Sequence, residues 1–243
     1  MHLIKLDATD STNQYLKELA VSKTLKDCTV IRAIKQEKGR GQMGSVWHSE
    51  EGKNLTFSIL KYFSSFKVED QIKLNCVVSL AVYKTLQELA VPDVRVKWPN
   101  DIMSGNHKVC GILIENMLKG SHIQQAIIGI GLNVNQTQFG NLEKVSSLKL
   151  LLGSEFDLDT LLEKLVVSIT SNLDVIQTKN WIHVKRSYEE ALYRKDKPST
   201  FEGLNGNQFS GFIREVDIEG KLVIELEDKL LKQFAVKEVK LLN

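Results

Sequence analysis

The chain is poor in the residues that staple small folds or hold metals. Cysteine occurs three times, as Cys28, Cys76 and Cys110, and no two are spaced as C-x-x-C. An odd, scattered set argues against a disulfide framework and against a structural zinc site. Reduced thiols in a cytoplasmic setting are the simpler reading. Charge of one sign is also missing: 32 basic and 30 acidic residues leave a formal net charge of +2. That gives no electrostatic case for a nucleic-acid or membrane partner. No apolar run is long enough to span a bilayer. The N-terminus, MHLIKLDATDSTN, lacks a basic start followed by an extended apolar stretch, so no signal peptide is expected. There is no G-x-x-x-x-G-K-[ST], no G-x-S-x-G and no H-E-x-x-H, which argues against a Walker-type ATPase, a serine hydrolase and a zinc protease. The five histidines are scattered, and His48 and His107, nearest the dense loops, read as solvated.

What is present is an ordinary globular mixture of 243 residues, 42% hydrophobic and 26% charged. That length suits a large domain, or a medium one with a small companion. HLIKL alternates as a strand, and DSTNQYLKELA reads as a helix with Ser11 and Gln14 spaced as a capping box. CTVIRAIKQ and NLTFSILKYF read as strands. From Glu69 to Ala90 apolar residues recur at helical spacing. VRVKW is a strand stopping at Pro99. VCGILIENML and IQQAIIGIGLNVN read as two more, joined by a hairpin around Lys119, Gly120 and Ser121. Leu158 to about Leu192 is helical again. Beyond YRKDKPST the chain turns to short strands, FSGFIREVD, KLVIELE and KQFAVKEVKLL. The expected fold is α+β: a mixed sheet flanked by helices over residues 1–195, then a small β-barrel over residues 196–243. The first strands follow one another in hairpin fashion, so a fully parallel, doubly wound sheet is not expected.

KGRGQMGSVW matches G-x-G-x-x-G, but a dinucleotide turn needs a helix opening at its last glycines. Here Val46, Trp47 and Gly52 lead into a strand, and FSSF stands where a ribose-binding acid belongs. Two readings remain for this loop. One is a flap in which glycines expose backbone N–H groups, Arg40 offers a planar cation, and Trp47 offers a flat face. The other is a flexible surface loop with an incidental arginine. The segment VKWPNDIMSGNHKVCGILIEN places Lys97, Asn100, Asp101 and Lys108 on an expected loop between strands. It is either a phosphate- and amine-binding site or a polar turn with solvated lysines. Ser11 is either a helix cap or, with Thr12, Asn13 and Gln36, part of a neutral polar pocket. Asn133 follows small glycines that permit close approach, or is a turn residue.

Taken in order, DSTN, Q-x-x-GRGQ-x-G-x-x-W, KWPND, HKVCGILIE and GIGLNVN resemble the biotin protein ligases over essentially the whole chain. The resemblance implies a class II synthetase-like catalytic sheet with an SH3-like C-terminal domain. It implies biotin as substrate, ATP and Mg2+ as co-substrates, no tightly held cofactor, and the biotin carrier domain of a carboxylase as partner. On the biotin side it implies Ser11, Thr12, Asn13, Gln36, Gly39, Arg40, Gly41, Gln42, Lys108 and Gly111. For ATP it implies Arg40, Trp47, Lys97, Lys108 and Asn133. Lys108, Arg40 and Asp101 would be the catalytic set, with Asp101 meeting the incoming lysine amine. No metal-ligating residue is assigned. Many members read GRGR-x-GR; here Gln42, Met43 and Ser45 replace those arginines, which implies weaker retention of the adenylate. Members that double as repressors carry a helix-turn-helix ahead of the ligase domain, so a repressor role is expected to be absent. In the tail, KEV stands where a glycine-containing turn is usual. A monomer or weak homodimer is expected. A lipoate or octanoate ligase of the same superfamily, and a non-catalytic carrier-binding module, are the alternatives.

Overall fold

The computed structural model describes residues 2–174, 176–177 and 180–242, with the backbone alone at Met43. The chain opens with a parallel crossover. β1 (His2–Thr9) and β2 (Thr29–Gln36) pair side by side, with α1 (Thr12–Ser22) between them. From there the hairpin succession expected of the sequence sets in. β3 (Leu55–Lys67) runs antiparallel to β2. β6 (His107–Lys119) and β7 (His122–Leu132) form a long hairpin turning at Gly120, whose φ of 60° suits a glycine. The seven-stranded sheet has the order β1-β2-β3-β7-β6-β5-β4, mixed as expected but parallel at its first pair.

The segment from Lys97 to Lys108, expected as one loop, is mostly sheet. β4 (Val94–Lys97), β5 (Asp101–Ser104) and β6 form a meander that turns at Gly105. Lys108 therefore stands on a strand. The run Ile102–Met103 is too short to register as a strand by periodicity, although both residues are buried. The Trp98–Pro99 bond in the tight β4–β5 connection is cis.

One face of the sheet is covered by α2 (Gln71–Glu88), α4 (Leu158–Asp174) and α5 (Trp181–Glu190), and the main apolar core lies beneath them. The stretch expected to be helical from Leu158 to about Leu192 thus holds two helices. Asn180 caps the second, accepting from the Ile182 N–H at 3.1 Å, and residues 175, 178 and 179 of that stretch lie outside the described set. A short helix, α3 (Leu148–Leu152), was not expected.

In the tail, β8 (Pro198–Gly203), β9 (Gln208–Val216), β10 (Leu222–Leu226), β11 (Leu231–Phe234) and β12 (Val239–Leu242) form a five-stranded antiparallel sheet in the order β11-β10-β9-β8-β12. The ring of Phe209 on β9 stacks on Phe234 of β11 at 5.5 Å, although β10 lies between them. In a flat sheet that separation would be about 10 Å, so this sheet curls on itself. KQFAVKEVKLL is two strands rather than one. They are parted by a turn in which Lys237 has φ 71°, the left-handed region that glycine adopts most readily. Trp98 Nε1 donates to Gly220 O at 2.9 Å, and the apolar core runs on from the large sheet to Phe201, Ile213 and Ile224.

Candidate active site

The other face of the large sheet carries the site, and strand register explains why. Side chains alternate between faces, so Ser58, Gly129 and Leu113 form one row across β3, β7 and β6. Two residues along, Thr56, Gly131 and Gly111 form the next row on the same face. On the far side of Ser58, the residues Leu60 and Ile127, with Ile31 and Leu16, make a small apolar cluster that seats α1. The face therefore passes from apolar, to polar, to a bare pair of glycines.

The missing side chains are where other groups sit. A methyl group on Gly129 would lie 2.3 Å from Asn13 Oδ1. One on Gly131 would lie 2.4 Å from the Trp47 indole, and one on Gly111 would lie 3.1 Å from the same ring. Asn13 thus rests on the first row and Trp47 on the second. Of these seats, only the closeness of glycines in GIG was visible in the sequence.

Asn13 is held on both sides of its amide. Asn13 Nδ2 donates to Glu115 Oε2 at 2.7 Å and to Leu113 O at 3.3 Å. Ser58 Oγ lies 2.6 Å from Asn13 Oδ1 and 2.8 Å from Thr12 Oγ1. Gln36 Oε1 accepts from the Thr12 N–H at 2.8 Å. Ser11 occupies the N-cap position of α1, but its side chain makes no capping hydrogen bond. The expected capping box is not formed: Gln14 instead donates to Glu18 at 2.6 Å and accepts from Arg40 Nη1 at 3.3 Å. Ser11 is 3% exposed and faces the cavity.

The glycine loop is a hairpin flap, not a dinucleotide turn. Gly41 N–H donates to Ser45 O at 2.7 Å, and Trp47 N–H to Gly39 O at 2.9 Å, around a single tight turn at Gln42–Gly44. A methyl group on Gly39 would lie 2.3 Å from Trp47 O, so that glycine lets the two arms close. Arg40 is exposed on the flap.

One cavity of about 160 Å³ gathers most of the expected residues. Ser11, Thr12, Asn13 and Gln36 line one end; Arg40, Gly41, Gln42 and Trp47 line the flap side. Asp101, Lys108 and Gly111 complete it. Lys108 Nζ lies 2.7 Å from Asp101 Oδ1 and 5.4 Å from the Trp47 ring centroid. A second cavity of about 930 Å³ shares Gln36 and Trp47 with the first and extends past Gly39 to Gln136 and Lys149. Together the two cavities exceed what a drug-sized ligand needs, whereas the first alone does not.

Three expected residues stand elsewhere. Gly39 lines only the second cavity. Lys97, expected on phosphate, lines a groove against the tail sheet with Trp98 and Lys240. Burial holds its ammonium below the usual range, reinforced by Lys108, Lys144 and Lys240 and opposed by Asp101. Asn133 is 1% exposed, and its amide donates to Ser146 O at 3.1 Å, which ties the end of β7 to the following loop. The side chain of Met43 lies outside the described residues. Sequence reading missed Ser58 and Gln14, which support the site from behind. Cys110 is fully buried and its thiol is pushed far up by burial, so it offers no nucleophile. Among the described residues, the one group with metal-ligand spacing is Asp27, Cys28 and Asp174. Lys61 already sits there, 2.7 Å and 2.8 Å from the two carboxylates.

Residues 6–133, more than half of the chain, match the model of the biotin/lipoate A/B protein ligase family. The chain is 29% identical to the bifunctional ligase/repressor BirA of Bacillus subtilis, over 96% of this chain and 72% of that protein. It is 34% identical to the biotin–[acetyl-CoA-carboxylase] ligase of Paracoccus denitrificans, over 53% of each. In structure it is similar to a biotin protein ligase from Aquifex aeolicus in complex with biotin and ATP. The TM-score is 0.81 and the identity 28%, over 100% of this chain and 99% of that one. No helix among the described residues is long and apolar enough to cross a membrane.

Proposed function

This chain belongs to the biotin/lipoate A/B protein ligase family, and we propose that it joins biotin to ATP as biotinyl-5′-AMP and then passes the biotinyl group to a lysine of a carboxylase carrier domain. The observation that carries this reading is the single cavity with Ser11, Thr12 and Gln36 at one end and Arg40 and Lys108 at the other. The first end suits a neutral, hydrogen-bonding ring. The second suits a carboxylate beside a phosphate.

In the first step a carboxylate oxygen of biotin attacks the α-phosphorus and pyrophosphate leaves. The acid itself is the nucleophile, so the protein's task is positioning and charge stabilisation. Lys108 is the cation for the oxygens that gain charge. At rest it is paired with Asp101, and both side chains are about a third or less exposed, at 33% and 24%. The Asp101 Oδ1 atom that faces Lys108 is shielded from water, but a phosphate carries more charge than one carboxylate and can take Lys108 from Asp101. Asp101 is then free to accept a proton from the acceptor lysine as its amine attacks the acyl carbon and AMP departs. Arg40 moves from Gln14 to the phosphates as the flap closes. Trp47 lines both cavities and would carry the adenine in the larger one. The first cavity offers one carboxylate, Asp101, already paired; magnesium would therefore arrive on the triphosphate rather than in a protein cage. The catalytic unit is residues 1–195, and residues 196–243 form its companion.

The test is incubation with biotin, MgATP and a carrier domain, followed by intact mass. One added biotinyl group on the acceptor is expected. An unlabelled acceptor, or equal labelling when lipoate replaces biotin, would sink the assignment.

A further inference from the structure

We propose that Glu115, which does not line the cavity, is a positioning residue that sets the donor–acceptor pattern at the cavity's polar end and thereby selects a cyclic urea. The proposal rests on the ligase reading above, and it follows from placing the protons by elimination. The Glu115 carboxylate and Leu113 O only accept, and both face the same atom of the Asn13 amide, at 2.7 Å and 3.3 Å. That atom must be the nitrogen, so Asn13 Oδ1 faces Ser58. Two oxygens 2.6 Å apart need a proton between them, and Ser58 has only one to give. Ser58 therefore donates to Asn13. Its 2.8 Å contact with Thr12 Oγ1 must then be filled by the proton of Thr12. Gln36 Oε1, 3.1 Å from the same hydroxyl, takes the Thr12 backbone N–H instead.

The outcome is a chain with one direction: Thr12 to Ser58 to Asn13 to Glu115. Thr12 keeps its lone pairs for a ligand N–H. Gln36, its oxygen occupied, keeps its amino group for a ligand carbonyl. Acceptor beside donor is the complement of a urea, which carries N–H and C=O on neighbouring atoms. Without the carboxylate, the longer contact to Leu113 O alone orients Asn13. A flipped amide would reverse the chain and use up a lone pair on Thr12.

The experiment is biotin-dependent pyrophosphate exchange by the full chain, with KM for biotin, KM for ATP and kcat measured separately. Glu115→Leu should raise KM for biotin about tenfold or more, with KM for ATP and kcat within about twofold. Glu115→Gln, whose amide oxygen still accepts from Asn13, should recover most of that loss. A wild-type biotin KM in Glu115→Leu would overturn the proposal. So would an ATP KM rising in step, or equal deficits in the Gln and Leu variants, because general loss of packing gives those patterns. If Glu115→Leu does not fold, Ser58→Ala cuts the chain one link on. It should show the same biotin-only shift, and a wild-type biotin KM there overturns the idea equally. A wild-type chain with no biotin-dependent exchange would overturn the ligase reading itself, and this proposal with it.

Discussion

At one end of the cavity the polar groups are already oriented by one another. Asn13 sits on Gly129 between Ser58 and Glu115, on three strands whose register places it. At the other end the groups that would meet charge are held by little. Arg40 is exposed, and its contact with Gln14 is 3.3 Å long. Lys108 rests on Asp101, a single carboxylate that a more highly charged phosphate can replace. On the proposed reading the two ends share one cavity but divide the work: the polar end, preorganised on the sheet, would take the ring, and the charged end would be assembled by the ligand. Preorganisation lowers the cost of ordering on binding, whereas exchangeable pairs let charge be handed from step to step.

The heaviest blow to that division is Lys108→Ala. Its kcat for biotin-dependent pyrophosphate exchange should fall on the order of 10²- to 10³-fold, with biotin affinity by calorimetry nearly unmoved. A parallel collapse of affinity would mean the two ends are not separable. The converse probe is Gly129→Ala, whose methyl group must displace Asn13. KM for biotin should rise on the order of 10- to 100-fold while kcat holds. A loss confined to kcat would place the ring elsewhere.

A gentler probe of the flap is Gln42→Arg, which returns a cation facing the cavity. Release of biotinyl-5′-AMP without acceptor should slow by about severalfold, and an unchanged release rate would remove Gln42 from adenylate retention. The smallest effect lies outside both ends. Lys237→Gly relieves a left-handed turn and should add about 0.5–1 kcal/mol, or about 1–4 °C in Tm, with kinetics untouched. A drop in Tm would show that the Lys237 side chain matters more than its backbone.

Much of this was legible in the chain. The helix over 71–88 and the hairpin at Gly120 announce themselves by periodicity and turn chemistry, because burial on one face repeats with a fixed period. Arg40, Lys108, Ser11, Thr12 and Gln36 were named from motif chemistry, and they meet in one cavity. Short elements were not legible. β5 spans Asp101–Ser104 and β8 opens at a proline, so neither offers enough residues for a pattern. Lys97 was expected on phosphate from the resemblance and because it and Lys108 flank the Asn100–Asp101 pair. Strand alternation and the tail sheet put it in another groove.

The sequence by itself determined which chemical groups are available: a planar cation between glycines, a lysine three residues before GILIE, and a hydroxyl–amide cluster at the first helix. These depend on composition and local geometry, which a linear chain carries. Only the tertiary structure decided which of them share a cavity, that Ser11 is released from capping, and that Glu115 and Ser58 stand behind Asn13. Those facts depend on the register of β3, β7 and β6, fixed by burial of the opposite face. A register error of one residue would turn Ser58 and Glu115 to the other side of the sheet.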